Sequence, residues 1–119
     1  MKGFLKSFGY ALEGTVFVLR SQRNMKVHFV ATLLVVTVGL FLRLSASEWV
    51  DIIFAVFFVL AAECINTAIE ALVDLSSPQK QPLAKIAKDC AAGAVLLAAI
   101  NSLLAAYFIL WPKILGVFL

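Results

Sequence analysis

Three carboxylates share one face of a predicted helix in an otherwise apolar part of the chain. Residues 63–74 read E-C-I-N-T-A-I-E-A-L-V-D, and steps of three and four residues bring Glu63, Asn66, Glu70 and Asp74 onto that face, with Thr67 beside them. We call Glu63, Asn66, Glu70 and Asp74 the acidic stripe. A charged side chain at the centre of a bilayer costs about 2.5–3.5 kcal/mol. The stripe therefore needs a partner, water or a bound cation.

Close-packed carboxylates of this kind suit three kinds of chemistry. They bind a divalent cation through hard oxygen ligands, they act as a general base, or they relay protons and ions across a membrane. Periodicity alone does not choose among the three. Glu70 and Asp74 are equally compatible with solvated residues at a helix end, whereas Glu63 lies about three turns inside the helix, where an ionisable residue indicates a functional site.

A second group of charges stands where the next apolar segment begins. Lys85, Lys88 and Asp89 precede residues 91–94, which are all alanine or glycine and allow close approach of helices. Cations beside carboxylates at a membrane surface are what binding of a phosphate and its magnesium ion requires. The same lysines are also compatible with a simple topology signal, because cytoplasmic loops are rich in Lys and Arg.

The composition places these residues in a membrane. The chain has 119 residues, of which 63% are hydrophobic and 14% charged, and its mean hydropathy is +1.01. So much apolar surface in so short a chain excludes a water-soluble fold. Eight of the ten basic residues fall on one side of a three-pass chain. The net charge of +3 is therefore explained by the orientation of the chain in the membrane, and we expect no nucleic-acid partner. The positive-inside rule predicts a multi-pass protein of the inner (cytoplasmic) membrane with its N-terminus in the cytoplasm.

We expect a single all-α membrane domain over residues 1–119, made of an N-terminal amphipathic surface helix and three transmembrane helices. The surface helix covers about 2–23, where apolar and charged side chains recur on opposite faces. The spans cover about 27–43, 49–73 and 88–111, close to the ~20 residues that cross a bilayer. Ser47 is the expected N-cap of the second span, and Pro112 marks the end of the third. Serines and prolines between 76 and 82 indicate a polar cytoplasmic loop.

Segment 63–74 and segment 87–89, which reads A-K-D, resemble motifs of the prokaryotic diacylglycerol kinase family. The likeness extends from Tyr10 to Pro112, and the pattern E-x-x-N-[ST]-A-[IV]-E-x-x-V-D is highly specific. That family comprises diacylglycerol kinases and, in its Gram-positive branch, undecaprenol kinases. Residues 23–28, 82–85 and 91–95 resemble the undecaprenol kinase branch more closely.

The resemblance implies a homotrimer of three-helix protomers, with active sites where neighbouring protomers meet. It also implies transfer of the γ-phosphate of ATP, with Mg²⁺, to the hydroxyl of a membrane lipid alcohol, either undecaprenol or diacylglycerol. By motif position, Glu63 is the expected general base, Asn66 the residue that orients it or the acceptor, and Glu70 a magnesium ligand. The residues expected at the nucleotide are Lys88 and Asp89, with Tyr10, Gln79, Lys80 and Gln81 nearby.

One position departs from the family pattern. Gln22 stands immediately before an Arg-Asn pair, where the family usually carries an acidic magnesium ligand. Glutamine offers a neutral carbonyl oxygen but no charge, so the resemblance predicts weakened or altered metal binding at Gln22.

Two functions other than a lipid kinase stay open at this point. The first is a small ion- or proton-conducting protein that uses the acidic stripe. It predicts acidic residues across the whole membrane thickness, whereas the stripe ends near the middle of the bilayer. The second is a catalytically degraded lipid-binding scaffold of the same fold, which Gln22 alone suggests.

Overall fold

Four helices joined by short connections make up the protein in a computed structural model that describes all residues, 1–119. They are α1 (Lys2–Ser21), α2 (Arg23–Phe41), α3 (Ala46–Ser76) and α4 (Pro82–Phe118). The helices α2, α3 and α4 are each long and apolar enough to cross a membrane. The predicted all-α membrane class with three spans is therefore confirmed, whereas the surface position of α1 and the homotrimer stay predictions.

The two longest helices form the framework of the protein. With 31 and 37 residues, α3 and α4 extend about 46 and 56 Å, well beyond the ~30 Å of hydrocarbon in a bilayer. They make the most extensive helix–helix contact in the fold. Small or β-branched residues are buried along them and allow close approach: Ala55, Val59, Ala91, Val95 and Ala98. Ser102 Oγ lies 3.1 Å from the carbonyl oxygen of Ala55, which adds a hydrogen bond between the two helices.

The connection between α2 and α3 is a tight turn that we call the turn end of the bundle. Arg43 adopts φ 53°, in the left-handed region, just after the last turn of α2. The N–H of Leu44 donates to the carbonyl of Gly39 at 3.2 Å, and the N–H of Arg43 donates to that of Leu40 at 3.3 Å. This pair of bonds is the Schellman arrangement, which satisfies the free carbonyls at a helix end. The turn reverses the chain without leaving these carbonyls unpaired.

A capping box opens α3 on the far side of this turn. Ser45 is the N-cap: its Oγ accepts from the N–H of Glu48 at 3.3 Å, and its own N–H donates to Glu48 Oε2 at 2.7 Å. The predicted N-cap, Ser47, was wrong because it already lies inside the helix, and only Ser45 has the acid three residues later that closes the box. Glu48 also contacts Lys113 Nζ at 3.2 Å, which ties the far end of α4 to the start of α3.

Helix α4 does not end at Pro112. It continues to Phe118, so the helix extends beyond the predicted span. Pro112 has no N–H, and its carbonyl partner one turn earlier, on Phe108, loses its bond within the helix. A proline is tolerated here because it interrupts a single bond near the end of a long helix.

Helix α1 is separated from α2 by one extended residue, Gln22, with φ −97° and ψ 122°. Val18 and Met25, on either side of this break, are buried and attach α1 to the remaining helices. Most of the large apolar side chains of α1 stay exposed, including Phe4, Phe8 and Leu12, which lie on one face of the helix. An apolar face of this kind is typical of a helix that lies on a bilayer.

Replacing Gly39 by leucine is expected to destabilise the protein by about 1–3 kcal/mol. A Cβ atom at Gly39 would lie 2.9 Å from Trp49 Cη2 and 3.0 Å from Leu44 Cδ1, too close for either to stay in place. Thermal unfolding in detergent measures the effect. Gly116→Leu is the matched control, because nothing lies within 4 Å of a Cβ there. Equal unfolding midpoints for the two variants would contradict the packing described for the turn end.

Candidate active site

Glu63 is the most deeply buried large side chain in the protein, with 1% of its surface exposed. It lies in the middle of α3, and its Oε1 is 3.3 Å from Nε2 of His28 on α2. The two atoms are close but not aligned, and Glu63 Oε1 accepts no hydrogen bond. Within 4 Å, His28 is the one side chain able to carry positive charge. A buried carboxylate with an unsatisfied oxygen is costly for stability, which favours a functional role.

The next turns of α3 carry the rest of the acidic stripe in the order that the sequence predicts. Asn66 Nδ2 donates to Glu70 Oε1 at 3.1 Å. Asn66 is buried, and its Oδ1 accepts no hydrogen bond. Thr67 lies beside the stripe. Its Oγ1 donates to the backbone carbonyl of Glu63 at 2.9 Å, so its hydrogen bond stays within α3. Asn66 thus lies between the buried carboxylate of Glu63 and the half-buried carboxylate of Glu70.

Two ion pairs lie at the opposite end of the bundle from the turn, where residues 77–81 connect α3 to α4. We call this the loop end. Lys88 pairs with Asp74 across the two helices, and Lys85 pairs with Asp89 along α4. All four side chains are substantially exposed, so solvent screens each pair and it contributes little to stability. Such pairs can exchange partners when a charged ligand arrives.

A cavity of about 580 Å³ opens at the loop end, and seven of its twelve lining residues have charged or amide side chains. Its size falls in the usual range of small-molecule sites, about 300–1,000 Å³. Five of the six residues predicted at the nucleotide line this cavity: Gln79, Lys80, Gln81, Lys88 and Asp89. The sixth, Tyr10, is an exposed residue of α1 and is not among the lining residues.

No hydrogen bond joins the two predicted magnesium ligands, Glu70 and Gln22. Glu70 bonds to Asn66, whereas Gln22 stands at the break between α1 and α2 and its side chain makes no hydrogen bond. No three side chains of His, Cys, Asp or Glu come together as a ready metal site. The oxygen donors of Glu70 and the unpaired Asn66 Oδ1 nevertheless suit Mg²⁺, which is commonly bound through one or two carboxylates, water and substrate phosphates.

Sequence reasoning missed two features of this region. Nothing in the sequence spacing indicates that His28 on α2 contacts Glu63 on α3. Asp51 is a further acid in α3, toward the turn end, so the acids of this helix are not confined to the acidic stripe. Asp51 is exposed whereas Glu63 is buried, which means that the two lie on different faces. Asp51 therefore does not extend the stripe.

Comparison with known proteins gives a consistent result. Residues 9–110 match the family model described as prokaryotic diacylglycerol kinase. A diacylglycerol kinase of Synechocystis sp. is 41% identical over 94% of this chain, which spans 65% of that protein. An undecaprenol kinase of Bacillus subtilis is 40% identical over 93% of this chain and 90% of its own length. A diacylglycerol kinase of Escherichia coli K12 is 32% identical over 90% of this chain and 88% of its own length.

Glu63→Gln is expected to leave stability unchanged or to raise it by about 1 kcal/mol, because it replaces a buried carboxylate with a neutral side chain of the same shape. Thermal unfolding in detergent measures this change. Glu70→Gln is the control: Glu70 is only half-buried, and its bond to Asn66 can be kept by the amide. A loss of more than about 2 kcal/mol for Glu63→Gln would indicate that Glu63 supports the fold.

Proposed function

Because the chain belongs to the prokaryotic diacylglycerol kinase family, we propose that it is an ATP- and Mg²⁺-dependent lipid kinase of the inner membrane. It would transfer the γ-phosphate of ATP to the hydroxyl of a membrane lipid alcohol. The names of the relatives support both diacylglycerol and undecaprenol as acceptors. We further propose that the protomers form a homotrimer and that the N-terminus and the loop end face the cytoplasm.

The observation that carries this proposal is the placement of the acidic stripe along α3. Glu63 is buried among the membrane-spanning helices, and Asp74 is exposed at the loop end, about 16 Å further along the helix. A lipid hydroxyl reaches the protein from the bilayer, whereas a nucleotide arrives from water. The stripe runs between these two environments, which supports a reaction that joins a lipid to a soluble phosphate donor.

In the proposed reaction Glu63 is the general base. It would accept the hydroxyl proton as the lipid oxygen forms a bond to the γ-phosphorus. The bond from this phosphorus to the bridging oxygen breaks at the same time, and ADP leaves. Asn66 would hold the acceptor or Glu63 in place, and its bond to Glu70 supports this coupling of base and metal ligand.

The remaining groups would serve the nucleotide. Glu70, with Gln22, would hold Mg²⁺, which would supply positive charge to neutralise the transferring phosphoryl group. The loop-end cavity would take the nucleotide, with Lys88 exchanging Asp74 for a phosphate oxygen. Asp89, Tyr10, Gln79, Lys80 and Gln81 would complete this site. Phosphoryl transfer requires mainly positioning and charge neutralisation, which a chain of 119 residues can supply without a glycine-rich phosphate loop.

The purified protein is expected to phosphorylate undecaprenol, diacylglycerol or both in mixed micelles, with radiolabelled ATP and Mg²⁺ as the assay. Glu63→Gln should lose about 10²–10⁴-fold in rate, the usual contribution of a general base. Asp51→Asn is the matched control, since it removes a carboxylate from an exposed face of the same helix. The assignment fails if the wild type labels neither lipid or if Glu63→Gln keeps the full rate.

Gln22→Glu is expected to lower the magnesium concentration that gives half-maximal rate by roughly several-fold, because it adds a charge to the ligand set. Rate measured against magnesium for both proteins tests this. Superimposable curves would remove Gln22 from the proposed metal site. Lipid binding without turnover at any magnesium concentration would instead indicate a scaffold that has lost catalysis.

A further inference from the structure

His28 approaches the Glu63 carboxylate from another helix, and the proposed function has not used it. It lies in the second turn of α2, where the surrounding residues are mostly apolar. Its Nε2 is 3.3 Å from Glu63 Oε1, and its side chain is 20% exposed. A histidine at an exposed position of α2 would lose less hydration than one beside the buried carboxylate of Glu63. The position of His28 therefore needs an explanation.

The surroundings of the His28 side chain are mostly apolar. Its backbone carbonyl accepts a hydrogen bond from Thr32 Oγ1 at 2.8 Å. Its side chain borders a small apolar cavity of about 90 Å³ that α2, α3 and α4 enclose, together with Val59 one turn before Glu63. The imidazole therefore stands between the carboxylate and apolar walls, with few directions in which it can hydrogen-bond.

We propose that His28 is a positioning residue for Glu63, an inference that rests on the proposed kinase function. The imidazole N–H would hold one carboxylate oxygen, so that the other oxygen stays free to take the proton of the lipid hydroxyl. His28 keeps its own proton throughout and touches neither the nucleotide nor the lipid. It would affect the rate only through the orientation of Glu63.

The geometry without substrate agrees with this role. Oε1 of Glu63 is buried and accepts no hydrogen bond, and Nε2 of His28 needs only a small reorientation to supply one. Catalytic hydrogen bonds are often long or misaligned before substrate binds and tighten in the reactive complex. The pair is thus poised to close when the lipid hydroxyl arrives at Glu63.

The test compares steady-state kinetics of His28→Phe and His28→Gln with wild type. Phenylalanine keeps the ring but removes the donor, and kcat should fall roughly 10- to 100-fold, as small misplacements of reacting groups do. The KM for ATP should stay within about twofold, because His28 does not contact the nucleotide site. Glutamine places an amide N–H near the position of Nε2 and should restore most of kcat.

Three further variants make the outcome decisive. Thr37→Val, on the same helix and exposed, is the control and should behave as wild type. His28→Leu removes the donor with a smaller side chain if phenylalanine prevents folding. In the double variant Glu63→Gln with His28→Phe, the second change should cause no further loss, because there is no base left to position.

The results separate this inference from the proposed function. An active wild type whose kcat is unchanged by both Phe and Leu at position 28 would overturn the positioning role and leave the kinase assignment intact. Equal losses in His28→Gln and His28→Phe would also overturn it, since they would indicate a role in packing. A wild type that phosphorylates no lipid would overturn both.

Discussion

A carboxylate inside the hydrocarbon region has to be enclosed by protein, and most of this fold is arranged to meet that constraint for Glu63. A single helix cannot shield a charge from lipid. Here α3 carries Glu63, α4 packs closely against α3 through alanines and valines, and α2 brings His28 to the carboxylate. The enclosure is incomplete as a hydrogen-bonding environment, because one oxygen of Glu63 remains unsatisfied. A buried ionisable residue that lowers stability in this way indicates a functional site.

The lengths of α3 and α4 connect this buried group to water. Both helices are longer than the hydrocarbon layer needs, so the acidic stripe continues from the membrane interior to the exposed loop end. The charged cavity forms where the two helices leave the bilayer and the connecting loop crosses between them. In the proposed reaction, one continuous helix would in this way present a base to a lipid and further ligands to a nucleotide.

The two ends of the bundle are built differently, and the difference suits the proposed chemistry. At the turn end the capping box, the contact of Lys113 with Glu48 and the close fit of Gly39 against Trp49 fix the helices in place. At the loop end, exposed ion pairs are the main polar links between side chains, and these are weak. The turn end is therefore tied by packing and capping bonds, whereas the loop-end ion pairs are free to exchange partners with a charged ligand in the proposed reaction.

The sequence by itself determined the membrane class, the three spans and the order of the acidic stripe, because these depend on composition and on the repeat of a single helix. The capping serine was predicted wrongly, since two serines two residues apart both suit a cap and only the backbone selects Ser45. The pairing of His28 with Glu63 and of Lys88 with Asp74 was decided by the tertiary structure alone. Such contacts depend on how each helix is rotated about its axis and on where its neighbour stops, which local sequence patterns do not encode.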